Sequence, residues 1–260
     1  MSEARRWALV LGASSGFGEA AAKALAASGR SIFGVHLDRR STMGHVAEVI
    51  AALEAAGAQA AFFNMNAADP DKRAEALDTM KERLGGEGTV DVLLHSLAFG
   101  TLRPYTGEEA VSEAQMDMTV RVMAHSLVDW VRGAIERGMM GQGGRIFAMT
   151  SSGSTRALPS YGPVSAAKAA LESHVRQLAV ELAPQGITAN AIRAGVTATP
   201  AAQKIPGYDR LAEAAARRNP SGRLTTTDDV ARTLVVLAHP DTHWMTGNVI
   251  GVDGGEDIVG

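Results

Sequence analysis

Short apolar runs alternate with longer amphipathic stretches along this chain. Residues 7–11 are apolar throughout and end at Gly12, which reads as a buried strand. Similar runs at 31–37, 60–65, 90–96, 145–150, 187–192 and 249–252 complete a set of seven. The stretches between them have helical character. Residues 16–28 are alanine-rich, lack proline and stop at Gly29, a residue suited to a helix C-terminus. Residues 46–56 stop at Gly57, and residues 70–84 carry Pro70 in the first turn, where a missing N–H costs nothing. A long helix is expected over 113–139, another over 163–183 bounded by Pro184, and a last one over 227–238 with Asp228 and Asp229 at its positive end. Strands separated by helices predict an α/β fold, a doubly wound parallel seven-stranded sheet with helices on both faces. No linker-like shift in composition divides it, so residues 1–260 are expected to form one domain. Residues 197–222 break the rhythm. They hold Pro200, Pro206, Gly207 and Pro220 around a short helical piece, the signature of a loop that covers a ligand.

Composition narrows the function classes. Of 260 residues, 46% are hydrophobic, enough for a large core. The net charge of −3 comes without a long basic block, so a nucleic-acid partner is not expected. With no cysteine, disulfide and thiolate chemistry are unavailable. The apolar run 7–11 is too short for a signal core or a membrane span, which leaves a cytoplasmic location and no membrane partner as the default. No grouping of His, Asp and Glu has ligand spacing, so no metal site is expected.

The first strand runs into Gly12-Ala13-Ser14-Ser15-Gly16-Phe17-Gly18 and then the alanine-rich helix. Gly12 permits a tight turn, Gly16 lets backbone N–H groups approach a diphosphate, and Gly18 allows close helix–strand packing, with the ligand's charge at the positive end of the helix dipole. Between the first strand and the first helix of an α/β chain, this is a dinucleotide-binding turn of a Rossmann-type fold. The spacing G-x-x-x-G-x-G resembles the short-chain dehydrogenase/reductase family, and the resemblance runs through nearly the whole chain. Asn66 after the third strand, Asn190 in the sixth, Ala194-Gly195-Val196-Thr197-Ala198-Thr199, Thr246-Gly247 and Asp253-Gly254-Gly255 all match it. The resemblance implies an NAD(P)H site formed by Gly12, Ser14, Ser15, Gly16, Phe17, Gly18, His36, Arg39, Arg40, Asn66, Ser96, Leu97, Ala98, Lys168, Gly195, Val196, Thr197 and Thr199. Cofactor choice turns on the end of the second strand. An acidic residue there favours NAD by binding the ribose hydroxyls. Here His36 is followed by Leu37, Asp38, Arg39 and Arg40. Two arginines suit a 2′-phosphate, which puts NADP(H) ahead of NAD(H). Asp38 argues the other way if it turns inward.

Most members of that family carry Tyr-x-x-x-Lys, in which the tyrosine protonates a carbonyl oxygen and the lysine holds the nicotinamide ribose. The lysine here is Lys168, but Ser165 stands at the tyrosine's place and the nearby tyrosine is Tyr161, seven residues before the lysine. Pro163 disfavours helical geometry at Gly162, so the helix is expected to start at Pro163 with Tyr161 on the loop leading into it. Hydride addition to the β-carbon of an α,β-unsaturated thioester develops charge on the thioester oxygen, two bonds further along, and a displaced hydroxyl can stabilise that enolate. Tyr-x6-Lys is similar to the enoyl-acyl-carrier-protein reductases of the family. So are His95-Ser96-Leu97-Ala98 after the fourth strand, and, to the NADPH-dependent bacterial type, Gly100 to Pro104, Ser152 to Arg156, Leu178 to Leu182 and Pro220 to Arg223. The resemblance implies Tyr161, Lys168 and Ser151 as catalytic residues, Phe99 and Tyr161 at the substrate, and a substrate carried on acyl carrier protein or coenzyme A. It also implies a homotetramer or dimer, with the long helices over 113–139 and 163–183 pairing across a two-fold.

Two features depart from the pattern. Ser151, seventeen residues before Lys168, lies where carbonyl-reducing members keep their catalytic serine, and Arg121 replaces the asparagine that holds a proton-relay water. A carbonyl reductase acting, for example, on 3-ketoacyl thioesters, with Ser151 polarising the carbonyl, therefore stands as the alternative. A dinucleotide-binding protein without turnover is the remote one. His95 reads as structural at the end of a buried strand. Met116, Met118, Met123, Met139 and Met140 read as core or subunit contacts before an acyl channel.

Overall fold

A computed structural model describes residues 5–259. Seven strands form one sheet: β1 (Arg6–Leu11), β2 (Ser31–His36), β3 (Ala60–Asn64), β4 (Thr89–His95), β5 (Arg145–Ser151), β6 (Thr188–Ala194) and β7 (Val249–Val252). All neighbours pair in parallel in the order β3-β2-β1-β4-β5-β6-β7. The doubly wound fold read from the sequence is therefore the fold observed.

The helices are α1 (Gly16–Ala27), α2 (Met43–Ala55), α3 (Pro70–Leu84), α4 (Glu113–Val120), α5 (Ser126–Glu136), α6 (Gly162–Leu182), α7 (Tyr208–Arg218) and α8 (Thr227–Leu237). The central strands are buried on both faces, which is why they read as continuous apolar runs rather than alternating ones. In β1, Trp7, Leu9 and Leu11 pack with Leu77 and Met80 of α3, Leu127 and Trp130 of α5, and Leu171 and Val175 of α6. Ala8 and Val10 face the other way, onto Ala21 and Leu25 of α1, Val49 and Leu53 of α2, and Val230 and Leu234 of α8. Trp7 stacks on Phe33 with ring centroids 4.0 Å apart.

Side chains close several helix starts. The Asp69 carboxylate accepts the Asp71 and Lys72 N–H groups at α3, and Ser112 with Gln115 and Thr226 with Asp229 form reciprocal caps at α4 and α8. The long helix expected over 113–139 is instead broken by a π-turn at Arg121–His125 and ends at Glu136. The break has a local cause. Ser126 Oγ donates to the Val122 carbonyl at 2.7 Å, and Thr119 Oγ1 donates to the Gln115 carbonyl at 2.7 Å, so hydroxyls compete with the backbone ladder on both sides of it. The irregular stretch 197–222 contains more helix than its sequence suggests. A 3-10 turn at Ala202–Lys204 is followed by the eleven-residue α7, which buries only Ala215.

The chain changes winding direction between β1 and β4, so a crevice opens beyond their C-terminal ends, where ligands of doubly wound sheets bind. Its geometry rests on the Gly12–Gly18 contact: a β-carbon on Gly18 would collide with the Gly12 carbonyl oxygen, and one on Gly12 with the Ser96 carbonyl oxygen. We therefore expect Gly18→Ala to force α1 away from the turn, costing roughly 1–3 kcal/mol of stability and most dinucleotide affinity. Gly44→Ala on the open face of α2, where nothing lies within 4 Å, should be neutral or stabilising. Chemical denaturation and dinucleotide titration of both variants check this pair of outcomes.

Candidate active site

The turn after β1 is held by paired bonds, the Gly12 and Ala13 N–H groups both donating to the Val35 carbonyl at 2.8 and 3.1 Å. Gly12 at φ +89° and Gly16 at φ +58° adopt left-handed conformations that favour glycine. Gly16 faces Thr199 of the loop after β6, 3.4 Å from where its β-carbon would be. Ser15 stands at the N-cap of α1 without a side-chain cap bond, so the first-turn N–H groups beside Gly16, Phe17 and Gly18 remain available to an anion. A narrow glycine cradle against a helix N-terminus fits the diphosphate of a dinucleotide.

The end of β2 borders that cradle. His36 is buried, with Nδ1 2.9 Å from Asp38 Oδ2. Asp38 is turned inward. It accepts the Thr42 hydroxyl at 2.7 Å, and its N–H donates to Asn64 Oδ1 at 3.0 Å. Burial opposes its ionisation, but hydrogen bonds from Ser14, Thr42 and His36 outweigh that and hold its pKa below the ordinary value. Arg39 and Arg40 are exposed. Asn66 is exposed as well, its side-chain oxygen accepting the Ala68 N–H at 3.0 Å.

Along β4 and β5 the apolar pattern delivers polar groups to the C-terminal ends of the strands. The Ser96 N–H donates to the Leu11 carbonyl at 2.8 Å, and Leu97 packs on the core. Ala98 is exposed, and Phe99 is 58% exposed. Buried His95 shares a hydrogen bond with Ser126 Oγ at 2.9 Å. Because that hydroxyl already donates to Val122, His95 Nε2 must carry the proton. Burial, and then the Lys168 charge, push the His95 pKa down to about 3, so it is neutral throughout the working range. Arg121 turns to Asp129 at 3.0 Å, and so spends its charge away from this centre.

Tyr161, Ser151 and Lys168 come from two adjoining elements. Ser151 ends β5, and its Oγ lies 3.3 Å from the Tyr161 hydroxyl while accepting the Gly153 N–H at 3.2 Å. A β-carbon on Gly153 would strike the Tyr161 ring. Ser160, directly before it, has φ +60°, a strained conformation for a non-glycine residue costing on the order of 1 kcal/mol. The helix begins at Gly162, one residue before the expected start at Pro163. The Ser165 N–H donates to the Tyr161 carbonyl at 2.8 Å, and Gly162, with no β-carbon, tolerates helical geometry before proline. Tyr161 therefore caps α6 from the preceding loop. Its ring is buried with Met123, Val164 and Ala167, against Leu102, Leu158 and Ile205. Burial raises its pKa, partly offset by the Ser151 hydrogen bond.

Lys168 is buried two turns into α6, with Nζ donating to the Met149 carbonyl at 2.6 Å. Burial pushes its pKa down to about 8, and the charge of Glu172 one turn further on works against that shift. Glu172 is itself buried and accepts the Thr150 hydroxyl at 2.7 Å. After β6, the Thr197 hydroxyl donates to the Gly195 carbonyl at 3.0 Å, Thr199 Oγ1 accepts the Ala202 N–H at 3.1 Å, and the Val196 N–H donates to Glu256 Oε2 at 3.0 Å. Glu172, Thr150 and Glu256 carry no assignment in the sequence reading, and Asp38 enters there only through the choice of cofactor. Glu172 had a readable signal, an acid four residues after the lysine on one helix. Glu256 had none, since its partners Val196 and Arg218 lie on two distant segments. Among the described residues no group of three His, Cys, Asp or Glu is placed to hold a metal ion, and no helix is long and apolar enough to cross a membrane.

Comparison with known proteins places this chain in a family. Residues 12–256 match the family model described as enoyl-(acyl carrier protein) reductase. The chain is 34% identical to the NADH-dependent enoyl-[acyl-carrier-protein] reductase FabI of Aquifex aeolicus over 174 residues, spanning 66% of this chain and 64% of that one. It is 32% identical to the enzyme of the same name from Nostoc sp., covering 76% of each. The crystal structure of the Aquifex aeolicus reductase superposes with a TM-score of 0.86 at 27% identity over 99% of this chain and 98% of that one. The chain belongs to the short-chain dehydrogenase/reductase family, in its enoyl-(acyl carrier protein) reductase branch.

Proposed function

We propose that this protein reduces the carbon–carbon double bond of trans-2-enoyl thioesters carried on acyl carrier protein or coenzyme A. The observation that carries this reading is the position of Tyr161. Its hydroxyl approaches from the loop ahead of α6, seven residues before Lys168, with Ser151 Oγ at 3.3 Å. A bound reduced nicotinamide supplies hydride at the face of the crevice. The chain's residues then do the rest. Tyr161 donates a hydrogen bond to the thioester oxygen, on which negative charge collects as the β-carbon accepts hydride. Ser151 orients that hydroxyl. Lys168 holds the ribose with its ammonium, and Glu172 keeps a counter-charge one turn away. The segment 197–222, with Ile205 already against Tyr161, covers the acyl chain and excludes water.

The NADP(H) preference expected from Arg39 and Arg40 competes with what Asp38 does. An inward carboxylate beside Ser14 accepts hydroxyl donors and repels a phosphate, so we infer that NADH is the preferred partner. The family relatives named above carry NADH in their names. Asp38→Ala should narrow or reverse a preference for NADH measured by fluorescence titration. Tighter binding of NADPH by the unmodified protein would contradict it.

Supplying NADH with crotonyl thioester, a 3-ketoacyl thioester and simple ketones separates the two reductase readings. Turnover of the enoyl thioester is expected, and turnover of the ketones alone would overturn the proposal in favour of carbonyl reduction. Tyr161→Phe should lower turnover on the order of 10²–10³-fold with dinucleotide affinity nearly intact, whereas Lys168→Ala should weaken dinucleotide binding too. The pH profile has a fixed sign. Lys168 acts as its cation with a pKa of about 8, and Tyr161 titrates above its ordinary value, so activity should fall as pH rises through about 8 because the lysine loses its proton first. An alkaline limit unchanged in Lys168→Arg would refute that assignment.

A further inference from the structure

The C-terminal turn after β7 carries two consecutive acids whose partners, Val196, Arg218, Arg156 and Arg193, lie on four other segments. Glu256 is only 4% exposed. Its Oε2 accepts the Val196 N–H at 3.0 Å, and its Oε1 lies 2.9 Å from Arg218 Nη2, at the last residue of α7. Arg218 Nε also donates to the Glu256 carbonyl at 3.1 Å, so this guanidinium grips both the side chain and the backbone. Gly195 permits the approach: a β-carbon there would lie 2.9 Å from Glu256 Oε2 and collide with Thr225 Oγ1. The neighbouring Asp257 holds the two other arginines. Its carbonyl accepts Arg156 Nη2 at 2.9 Å, with the same nitrogen 2.8 Å from Oδ1, and Arg193 Nη2 lies 3.1 Å from Oδ2. Arg156 belongs to the loop that runs from Ser151 to Tyr161.

The turn is built to hold these acids still. Asp253 accepts the Gly255 and Asp257 N–H groups at 3.0 and 3.2 Å, and Asn219 Nδ2 donates to the Asp253 carbonyl at 2.8 Å. Exposed ion pairs contribute little. A buried carboxylate satisfied by a backbone N–H and a guanidinium differs, because losing either partner leaves a charge unpaired in the interior. One end of α7 is thus fixed through Arg218 and Asn219, while its other end enters at Gly207 with φ +76°.

We propose that Glu256 and Asp257 are positioning residues for the reaction: Glu256 ties the covering segment 197–222 to the loop at Val196, and Asp257 sets the loop that presents Tyr161. Binding at the Val196 loop and closure of α7 then become coupled events. This rests on the proposed enoyl-thioester reduction, with Gly195 to Thr199 at the nicotinamide.

The test compares Glu256→Gln, Arg218→Ala, Arg218→Lys, the double variant Glu256→Gln/Arg218→Ala, and Asp257→Asn. Glu256→Gln keeps an acceptor for Val196 but loses the charge that holds Arg218. It should raise KM for crotonyl thioester about tenfold, within the usual range of coupling effects, with kcat changed little. Arg218→Ala should do the same, Arg218→Lys should recover part of the loss, and the double variant should be no worse than either single one. Asp257→Asn should lower kcat through Tyr161 and leave dinucleotide affinity alone. Additive losses in the double variant, or equal falls in kcat and kcat/KM at Glu256, would overturn the proposal. Hydrogen exchange gives a readout without turnover. NADH alone should protect 208–218 in the unmodified protein and fail to do so in Glu256→Gln and Arg218→Ala. Equal protection in all three disproves the coupling even if the substrate reading stands. Loss of protection in the variants, in a protein that reduces no enoyl thioester, upholds the coupling and overturns only the substrate.

Discussion

The backbone contact between Gly12 and Gly18 is the constraint on which the rest of this molecule depends. With no side chain at either position, α1 closes directly over the turn after β1, and β1 presses against the start of the loop after β4. The sheet changes winding direction at the same place, so the crevice, the helix dipole and the C-terminal ends of the strands coincide. A methyl group at position 18 would separate them.

Around the crevice, burial decides the chemistry. Lys168, His95, Tyr161 and Glu172 all lie inside the protein, and each responds differently. His95 loses its charge outright and becomes a structural donor to Ser126, which in turn satisfies the Val122 carbonyl at the π-turn. Lys168 is pushed down, with Glu172 limiting the shift, so its ammonium survives at neutral pH. Tyr161 is pushed up and remains a donor. A buried phenol that keeps its proton suits the stabilisation of an oxyanion.

Much of this was legible in the sequence. The seven apolar runs became the seven strands, because strands covered on both faces leave no polar alternation to confuse them. The glycine spacing and the Tyr161 to Lys168 interval pointed to the proposed centre. What escaped depended on contacts between distant segments or on competing hydrogen bonds. The long helix over 113–139 breaks because two hydroxyls back-bond to carbonyls, a choice that periodicity does not register. The start of α6 slipped by one residue because glycine relaxes the restriction that proline imposes. Asp38 was visible as an acid beside two arginines, but its inward turn depends on His36 and Thr42, bonds that spacing does not register. Glu256, sixty residues from Val196, left no local trace.

The carbon that receives the hydride distinguishes the two reductions, and an isotope reports it most directly. NADH deuterated at the transferred position, incubated with crotonyl thioester and this protein, should give a butyryl thioester labelled at the β-carbon, with a solvent proton at the α-carbon, as read by NMR. Deuterium found only at a carbinol carbon, from a 3-ketoacyl thioester offered in parallel, would contradict the account.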